Sequence, residues 1–418
     1  MENIFALQDG ITRKIISALA LTLTASEQKA LADKGTDNPL AYEEYLKGWE
    51  NYRRFTSESF ARAKIHLEKA VELDPEFARA YGALAILYWK ALTTSGLLRA
   101  LGMTDSTKTV HGAMMVPFFL KKAMKKPTAV AHGMMSQIYL NMFLHNEALS
   151  EIERALAMDS NDPELYLWMS RILTFIGKDR EAIESAKRAM RLDPIYPAEY
   201  LITLAGAYLP DGDLQESLTL LERAKTLNPE RSVFIAFPQS VIYGLQGRTE
   251  EARAAYQIYI KSRVLPYRNV GDLVKWYPFT DLKKTTRIAE ALVKAGAPGD
   301  PTDYCKTTRD DLLKGPEVKN LLFGHKTTGI DPVLPEHEQF WYEWDRNGDY
   351  KYTTITGSFR DKGKCWIEGD VLFMTSEEYD PGFTMFAVFR NPGGTKEHMN
   401  EYVWQNFIRS IRYFSRAD

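Results

Sequence analysis

The sequence predicts a mainly α chain with a smaller β domain: a solenoid of paired helices followed by a small antiparallel β sheet or barrel. Three observations predict it. Small residues recur at one period: Ala148, Ala182, Ser217 and Ala252 are spaced by 34, 35 and 35, and Ala155, Ala189, Ala224 and Tyr259 repeat that spacing seven residues later. Prolines close the units at Pro75, Pro194 and Pro229, where a helix cannot continue. Beyond about residue 316 the helical pattern gives way to aromatic-rich runs, with Phe340–Trp344 and Tyr350–Ile355 on either side of Asn347-Gly348, a hairpin signature.

The elements follow in order. Residues 1–40 read as an N-terminal helical segment, because Ile4, Leu7, Ile11, Ile15, Leu19 and Leu23 recur every three or four residues as one stripe of a helix does. Arg13-Lys14 stand before an apolar run, but that run begins too late, after Glu2 and Asp9, for a signal peptide. Residues 41–262 hold about six helix pairs, since a repeat near 34 residues cannot bury its apolar faces alone and must stack. The first spans 41–75, with Leu46 and Gly48 in one helix and Ala63, Leu67 and Ala70 in the other. The second has a plain first helix (Tyr81, Leu84, Ala85, Tyr88) and a second helix near 112–126, after an insertion of roughly twenty residues. The others span 129–160, 162–194, 196–229 and 231–262. Residues 263–315 read as a cap and linker with helices at 269–276 and 281–295, the latter ended by Gly296 and Pro298. Residues 316–418 form the β domain, with further strands over 364–374, 383–389 and 402–414.

The small–aromatic–small–proline pattern resembles the tetratricopeptide repeat, most closely over Glu68-Lys69-Ala70-Val71-Glu72-Leu73-Asp74-Pro75. That resemblance implies a right-handed α-solenoid with a concave face lined by the first helix of each unit. The whole chain also resembles the C-terminal region of bacterial TolB-like/adenylate cyclase-type signalling proteins. The likeness rests on Asn3–Asp9 with Ile11–Ile15, on Tyr45-Leu46-Lys47-Gly48 with Arg54-Phe55-Thr56, and on Trp366–Asp370 with Val388–Pro392. It implies a regulatory or interaction role in bacterial signalling, in the cytoplasm, with residues 1–40 as the tail of a TolB-like region. Any cyclase activity would lie in a domain absent from this chain. Relatives often carry cysteines where this chain has Leu372, Phe373 and Phe386, so a thiol function of the β module is not expected.

Composition narrows the chemistry. With 53 basic and 55 acidic residues and a net charge of −2, nothing directs the chain to nucleic acid. No stretch reaches the roughly 18 apolar residues that span a bilayer. Cys305 and Cys365 are too few for a disulfide framework or structural zinc, and are expected as free thiols. Asp345-Arg346-Asn347-Gly348-Asp349 opens like a calcium loop, but Tyr350 and Thr356 stand where glycine and glutamate are needed, so a plain turn is expected. None of the histidines His66, His111, His132, His145, His325, His337 and His398 has metal-site spacing, and no nucleophile–base constellation, phosphate loop or dinucleotide fingerprint appears. No cofactor or enzyme activity is expected.

The resemblance instead places Trp89, Lys90, Gln137, Asn141, Arg171, Phe175, Phe234 and Phe237 along the concave groove, a mix suited to an extended peptide. The expected function is a protein–protein interaction scaffold with a protein or peptide partner. The alternatives are a small-molecule-sensing β module, motivated by Trp341, Trp344, Trp366 and Trp404, or the regulatory half of a class III nucleotide cyclase. The apolar stripe of the N-terminal helix must pack on the first repeat or on a second copy of the chain, so a homodimer through that helix is one expectation.

Overall fold

The computed structural model describes residues 10–11, 14, 34–93, 97–104, 106–261, 269–275, 277–330, 339–354, 357, 360–377, 382–391, 401–406 and 411–417. Of the N-terminal apolar stripe only Ile11 is among them, and it is exposed; Ile4, Leu7, Ile15, Leu19 and Leu23 lie outside the described residues.

Six helix pairs follow one another: α1 (Pro39–Arg53) with α2 (Ser57–Leu73), α3 (Ala78–Thr93) with α4 (Ser106–Ala123), α5 (Ala129–Asn141) with α6 (His145–Met158), α7 (Pro163–Phe175) with α8 (Asp179–Leu192), α9 (Ala198–Asp211) with α10 (Leu214–Leu227), and α11 (Ser232–Leu245) with α12 (Thr249–Lys261). Their starts are written locally. Asn38, Thr56, Thr128, Asp162 and Asp213 each accept a backbone N–H of the first turn, which satisfies donors no helix can satisfy itself. Within each later pair the periodic small residues are buried: Ala148, Ala182, Ser217 and Ala252, with Ala155, Ala189 and Ala224. The absence of bulk there lets paired axes approach and larger neighbours such as Ile152 and Leu221 fill the remaining space.

The turns inside the pairs show one departure from the repeat. Gly177, Gly212 and Gly247 hold positive φ values of 81°, 92° and 74° just past α7, α9 and α11, the left-handed cap that glycine adopts freely. At the corresponding places after α1 and α5 stand Phe55 and Phe143, at φ 52° and 63°. A side chain in that conformation is strained. Phe55 is nevertheless held there by ring contacts with Tyr52 and Phe60, at 5.3 and 5.5 Å.

After the pairs, α13 (Val270–Val274) and α14 (Leu282–Lys294) close the stack, as the sequence led one to expect. Helix α14 lies on α11 so tightly that a Cβ on Gly244 would stand 2.4 Å from the carbonyl oxygen of Ala291. A further helix, α15 (Gly315–Leu322), occupies the start of the region read as strands. Pro316 fits its first turn, and Val318, Leu321 and Leu322 are spent on the barrel core.

Eight antiparallel strands then close a barrel in sequence order: β1 (Lys326–Ile330), β2 (Gln339–Trp344), β3 (Asp349–Thr354), β4 (Arg360–Glu368), β5 (Val371–Thr375), β6 (Phe383–Arg390), β7 (Tyr402–Asn406) and β8 (Ile411–Arg416). Strand β1 pairs with β8, Gly329 opposite Phe414, so no edge is left open. Alternation sends Phe340, Tyr342, Trp344, Tyr350, Tyr352, Phe386, Trp404 and Phe414 into one core. Tyr342 sits 4.7 to 5.6 Å from five of these rings. Two of the four tryptophans that motivated a small-molecule site, Trp344 and Trp404, are thus core residues. Trp366 faces the solenoid, with Lys121 over its ring at 4.6 Å, and Trp341 lies under Lys326 at 5.1 Å. The Asp345–Asp349 segment is a turn whose Asp345 carboxylate accepts the backbone N–H groups of Asn347 and Asp349.

The barrel is fastened to the repeats. Gln405 of β7 donates to the carbonyl oxygen of Asn141 at 3.1 Å, and Arg309 makes a two-pronged ion pair with Glu147 of α6.

Two outcomes follow. Gly244→Ala is expected to cost about 1–3 kcal/mol by overpacking, whereas Gly206→Ala, exposed on α9 with nothing near its Cβ, gains about 0.5–1 kcal/mol; urea unfolding of both variants checks the pair. Cys365 is buried, and that burial, with the charges of Asp345 and Asp349, pushes its thiol up to about 12. A thiol reagent at pH 8 should therefore modify the half-buried Cys305 first and Cys365 only after denaturant is added.

Candidate functional site

The curl of the stack brings α1 round to face the turns that enter later repeats. Between them lies a cavity of about 2540 Å³, bounded by α1, by the segment 34–38 and by the turns leading into α3, α5, α7 and α9. The α1 wall is a ladder of rings. Tyr42 and Tyr45 are 6.2 Å apart, Tyr45 and Trp49 6.3 Å, Trp49 and Tyr52 5.0 Å, and Tyr52 and Phe55 5.3 Å. Tyr42, Tyr45, Trp49 and Tyr52 share a face because positions three or four apart on a helix do, and Phe55 joins them from the turn past its end.

Behind this cavity the first helices converge on a buried charge network. Lys90 at the end of α3 stands 3.6 Å from Glu164 of α7 and 3.7 Å from Glu199 of α9. Tyr52 of α1 donates to Glu164 at 3.1 Å, and Arg231 pairs with Glu199. The Phe55 ring lies between two cations, 5.8 Å from the Lys90 ammonium and 5.4 Å from the Arg231 guanidinium. Its strained backbone thus places an aromatic face where a glycine would leave the charges bare. Burial pushes the Glu199 carboxyl up, but Arg231 and Lys90 outweigh it and hold the group below its ordinary range. The side chains belong to five of the six repeats.

The eight sequence-predicted groove residues fall within one connected region, though most are buried. Arg171 donates to Gln137 Oε1 at 2.9 Å and to Asn141 Oδ1 at 3.1 Å. Its guanidinium lies 5.5 Å from the Trp89 ring and 5.9 Å from Phe175. Burial among amides and rings pushes Arg171 down to about 10, against the opposing charge of Glu199. Trp89 also lies 5.6 Å from the Lys90 ammonium, and Phe234 sits 4.7 Å under Arg231.

Phe175 and Phe237 are met by the chain itself. Phe279 stands 5.1 Å from Phe175, and Tyr277 stands 5.8 Å from Phe237. Thr280 donates its N–H to the Phe175 carbonyl at 2.9 Å, and His145 Nε2 bonds the Pro278 carbonyl oxygen at 2.6 Å. The segment 277–280 therefore lies across α6, α7 and α11, away from the lining of the cavity.

Sequence reasoning missed the acidic half of this region. Glu164 and Glu199 are 35 residues apart, the repeat spacing itself, so an acid at one register in adjacent units was the available signal. A neighbouring acid, Asp162, deepens the negative wall of the cavity. Asp162 caps α7 through Glu164 N at 2.8 Å, and burial, with the charge of Glu164, pushes its carboxyl up to about 6.

Residues 129–162 and 163–196 each match the family model for the tetratricopeptide repeat, which covers α5 with α6 and α7 with α8. Curated relatives include "Putative adenylate cyclase 3" of Rhizobium meliloti (strain 1021), 31% identical over 27% of this chain and 20% of its own length. "Superkiller complex protein 3" of Mus musculus is 24% identical over 60% of this chain and 18% of its own length. "TPR repeat-containing protein YpiA" of Bacillus subtilis (strain 168) is 23% identical over 34% of each. The chain therefore spans between about a fifth and a third of these relatives. Among solved structures, YrrB, described as a TPR protein with an unusual peptide-binding site, is 19% identical over 49% of this chain and 93% of its own, with a TM-score of 0.27. The Cut9–Hcn1 structure is 13% identical over 68% of this chain and 51% of its own, with a TM-score of 0.39. The fold of this chain is a tetratricopeptide-repeat solenoid followed by an eight-stranded antiparallel β-barrel.

Proposed function

We propose that the chain is a protein-interaction scaffold whose partner, an extended peptide or protein segment, enters the cavity between α1 and the inter-repeat turns. Solenoids of this repeat generally serve as protein-interaction scaffolds. The observation that carries the reading here is the cavity itself. About 2540 Å³ is bounded by an aromatic helix face on one side and polar turns on the other, which offers rings for apolar side chains and acceptors for a backbone.

None of the eight groove residues expected from sequence lines this cavity; in this reading Trp89, Lys90, Gln137, Asn141 and Arg171 lie behind it and fix the curvature of the stack. Phe175, Phe234 and Phe237 sit beneath the later repeats, where Tyr277 and Phe279 cover Phe237 and Phe175. A bacterial signalling role is part of the proposal and is supported by the likeness to the Rhizobium meliloti protein. In that setting the chain supplies recognition, and any nucleotide cyclisation belongs to a separate domain. Among the described residues no helix is long and apolar enough to cross a membrane, and no group of three His, Cys, Asp or Glu side chains could hold a metal.

The test is a selection of displayed random peptides against the full chain, followed by binding to variants. Leu46 and Ile195 stand exposed on the rim of the cavity, and Ile258 is exposed on α12 outside its lining. Selected peptides are expected to weaken about tenfold or more on Leu46→Glu with Ile195→Glu and to bind Ile258→Glu unchanged. Peptides that bind the rim variants as well as the original chain would overturn the proposal.

A further inference from the structure

Resting on the scaffold reading above, the charge and shape of the cavity narrow its occupant further. The chain as a whole is nearly neutral, yet the cavity lining carries nine Asp and Glu against four Lys and Arg. Some of these acids are already paired: Glu164 and Glu199 take Lys90 and Arg231, and Glu76 takes Lys125. Three are not. Asp159 accepts only the N–H of Asn161, Asp162 the N–H of Glu164, and Asp193 the hydroxyl of Tyr200.

Two of these carboxylates recur with the repeat. Asp159 and Asp193 are 34 residues apart and end α6 and α8 with nearly the same extended backbone, φ −143° and −126°. Turn formation explains the oxygen at these positions but not the charge. Asn228 ends α10 in the same conformation and accepts the N–H of Glu230 while neutral. A negative charge at a helix C-terminus is moreover disfavoured by the helix dipole. Asp74 ends α2 with the same backbone and takes the N–H of Glu76, but it is also met by the Thr36 hydroxyl. The ladder is broken after α4, where Lys126 stands in the lining, so the acidic stretch left open belongs to the turns into α7 and α9.

Opposite those turns is the ring ladder of α1; Tyr42, Tyr45 and Tyr52 are buried, and Trp49, half-buried, is the ring that opens on the cavity. An indole ring backed by a buried aromatic ladder and set against carboxylates is the pairing that receives a cationic side chain. The rings attract the charge through their quadrupole, and the carboxylates take the N–H groups. An anionic or purely apolar segment would leave Asp159, Asp162 and Asp193 facing it uncompensated.

We propose that the cavity takes a cationic, extended polypeptide segment, its arginine or lysine side chains held between the Tyr45–Trp49 face of α1 and the carboxylates of Asp159, Asp162 and Asp193. Lys90 and Arg231 lie behind the lining and are engaged with Glu164 and Glu199. Arg53 of α1, in the lining, acts on Asp162, and nine lining acids still stand against the four lining cations.

The experiment uses the full chain and three fluorescein-labelled decapeptides: alternating arginine with glycine or serine, the same design with glutamate, and an uncharged glycine–serine peptide. Fluorescence anisotropy is read at low and at moderate salt. The arginine peptide is expected to bind and to weaken as salt rises, and the other two to show no saturable binding. The double variant Asp159→Asn with Asp193→Asn keeps both turn acceptors, so its fold is expected to be intact by circular dichroism. It should bind the arginine peptide about tenfold more weakly, the combined worth of two partly exposed charge contacts. Trp49→Leu, which removes the ring and keeps the charges, should weaken it several-fold.

Equal binding of the glutamate peptide, or an unchanged affinity in the folded asparagine variant, would overturn the proposal. The displayed-peptide selection separates this failure from that of the scaffold reading. Rim-dependent peptides without arginine or lysine would sink only the cationic partner. Peptides indifferent to the rim would sink both.

Discussion

The closeness of paired helices is the constraint from which the other features follow. Ala148, Ala182 and Ala252 are fully buried at the places where a second helix meets its first, and larger side chains there would push the axes apart. Repeated over six units, one small offset between pairs becomes a curl. The curl in turn lets Tyr52 of the first repeat reach Glu164 of the fourth, 112 residues away. The cavity, the charge network and the seat of the barrel all depend on that return of the chain upon itself.

The buried ions make this return specific rather than merely compact. A lone ammonium in the position of Lys90 would carry a large desolvation cost. Two carboxylates from successive repeats offset it, and Arg231 balances the second of them. Because each partner stands on a different repeat, a change in curvature separates the paired charges and leaves Lys90 and Arg231 buried without them. Phe55 fits the same logic: its strained turn is retained where a glycine would be easier, and its ring fills the space between two cations.

Much of the fold was legible in the sequence. The six pairs, the closing helices and the Asn347-Gly348 hairpin all follow from local signals: a repeat of small residues, prolines, and turn chemistry that acts within a few residues. The elements that escaped have weak local signals. Strand β1, Lys-Thr-Thr-Gly-Ile, is short and polar and gains its place by pairing with β8. Helix α15 is eight residues long and is held by the barrel it covers. In the candidate site, register along the repeat brought Gln137, Asn141 and Arg171 to mutual hydrogen bonding. The acids Glu164 and Glu199, the ring ladder of α1 and the returning segment 277–280 were not found, because what joins them is the superhelix and not any stretch of sequence.

The pairing of β1 with β8 also sets an order of events during synthesis. Each helix pair can be completed within a few tens of residues of emerging chain and can dock on the pair before it. The barrel has no such partial solution. Until Phe414 has left the ribosome, the seam opposite Gly329 stays unmade, and the aromatic core of the other strands is exposed on an open sheet. Meanwhile the repeats, already stacked, present Asn141 and Lys121 as a landing surface. The solenoid can thus serve the nascent barrel as a template, shielding one side of a sheet that is otherwise prone to pair with its neighbours.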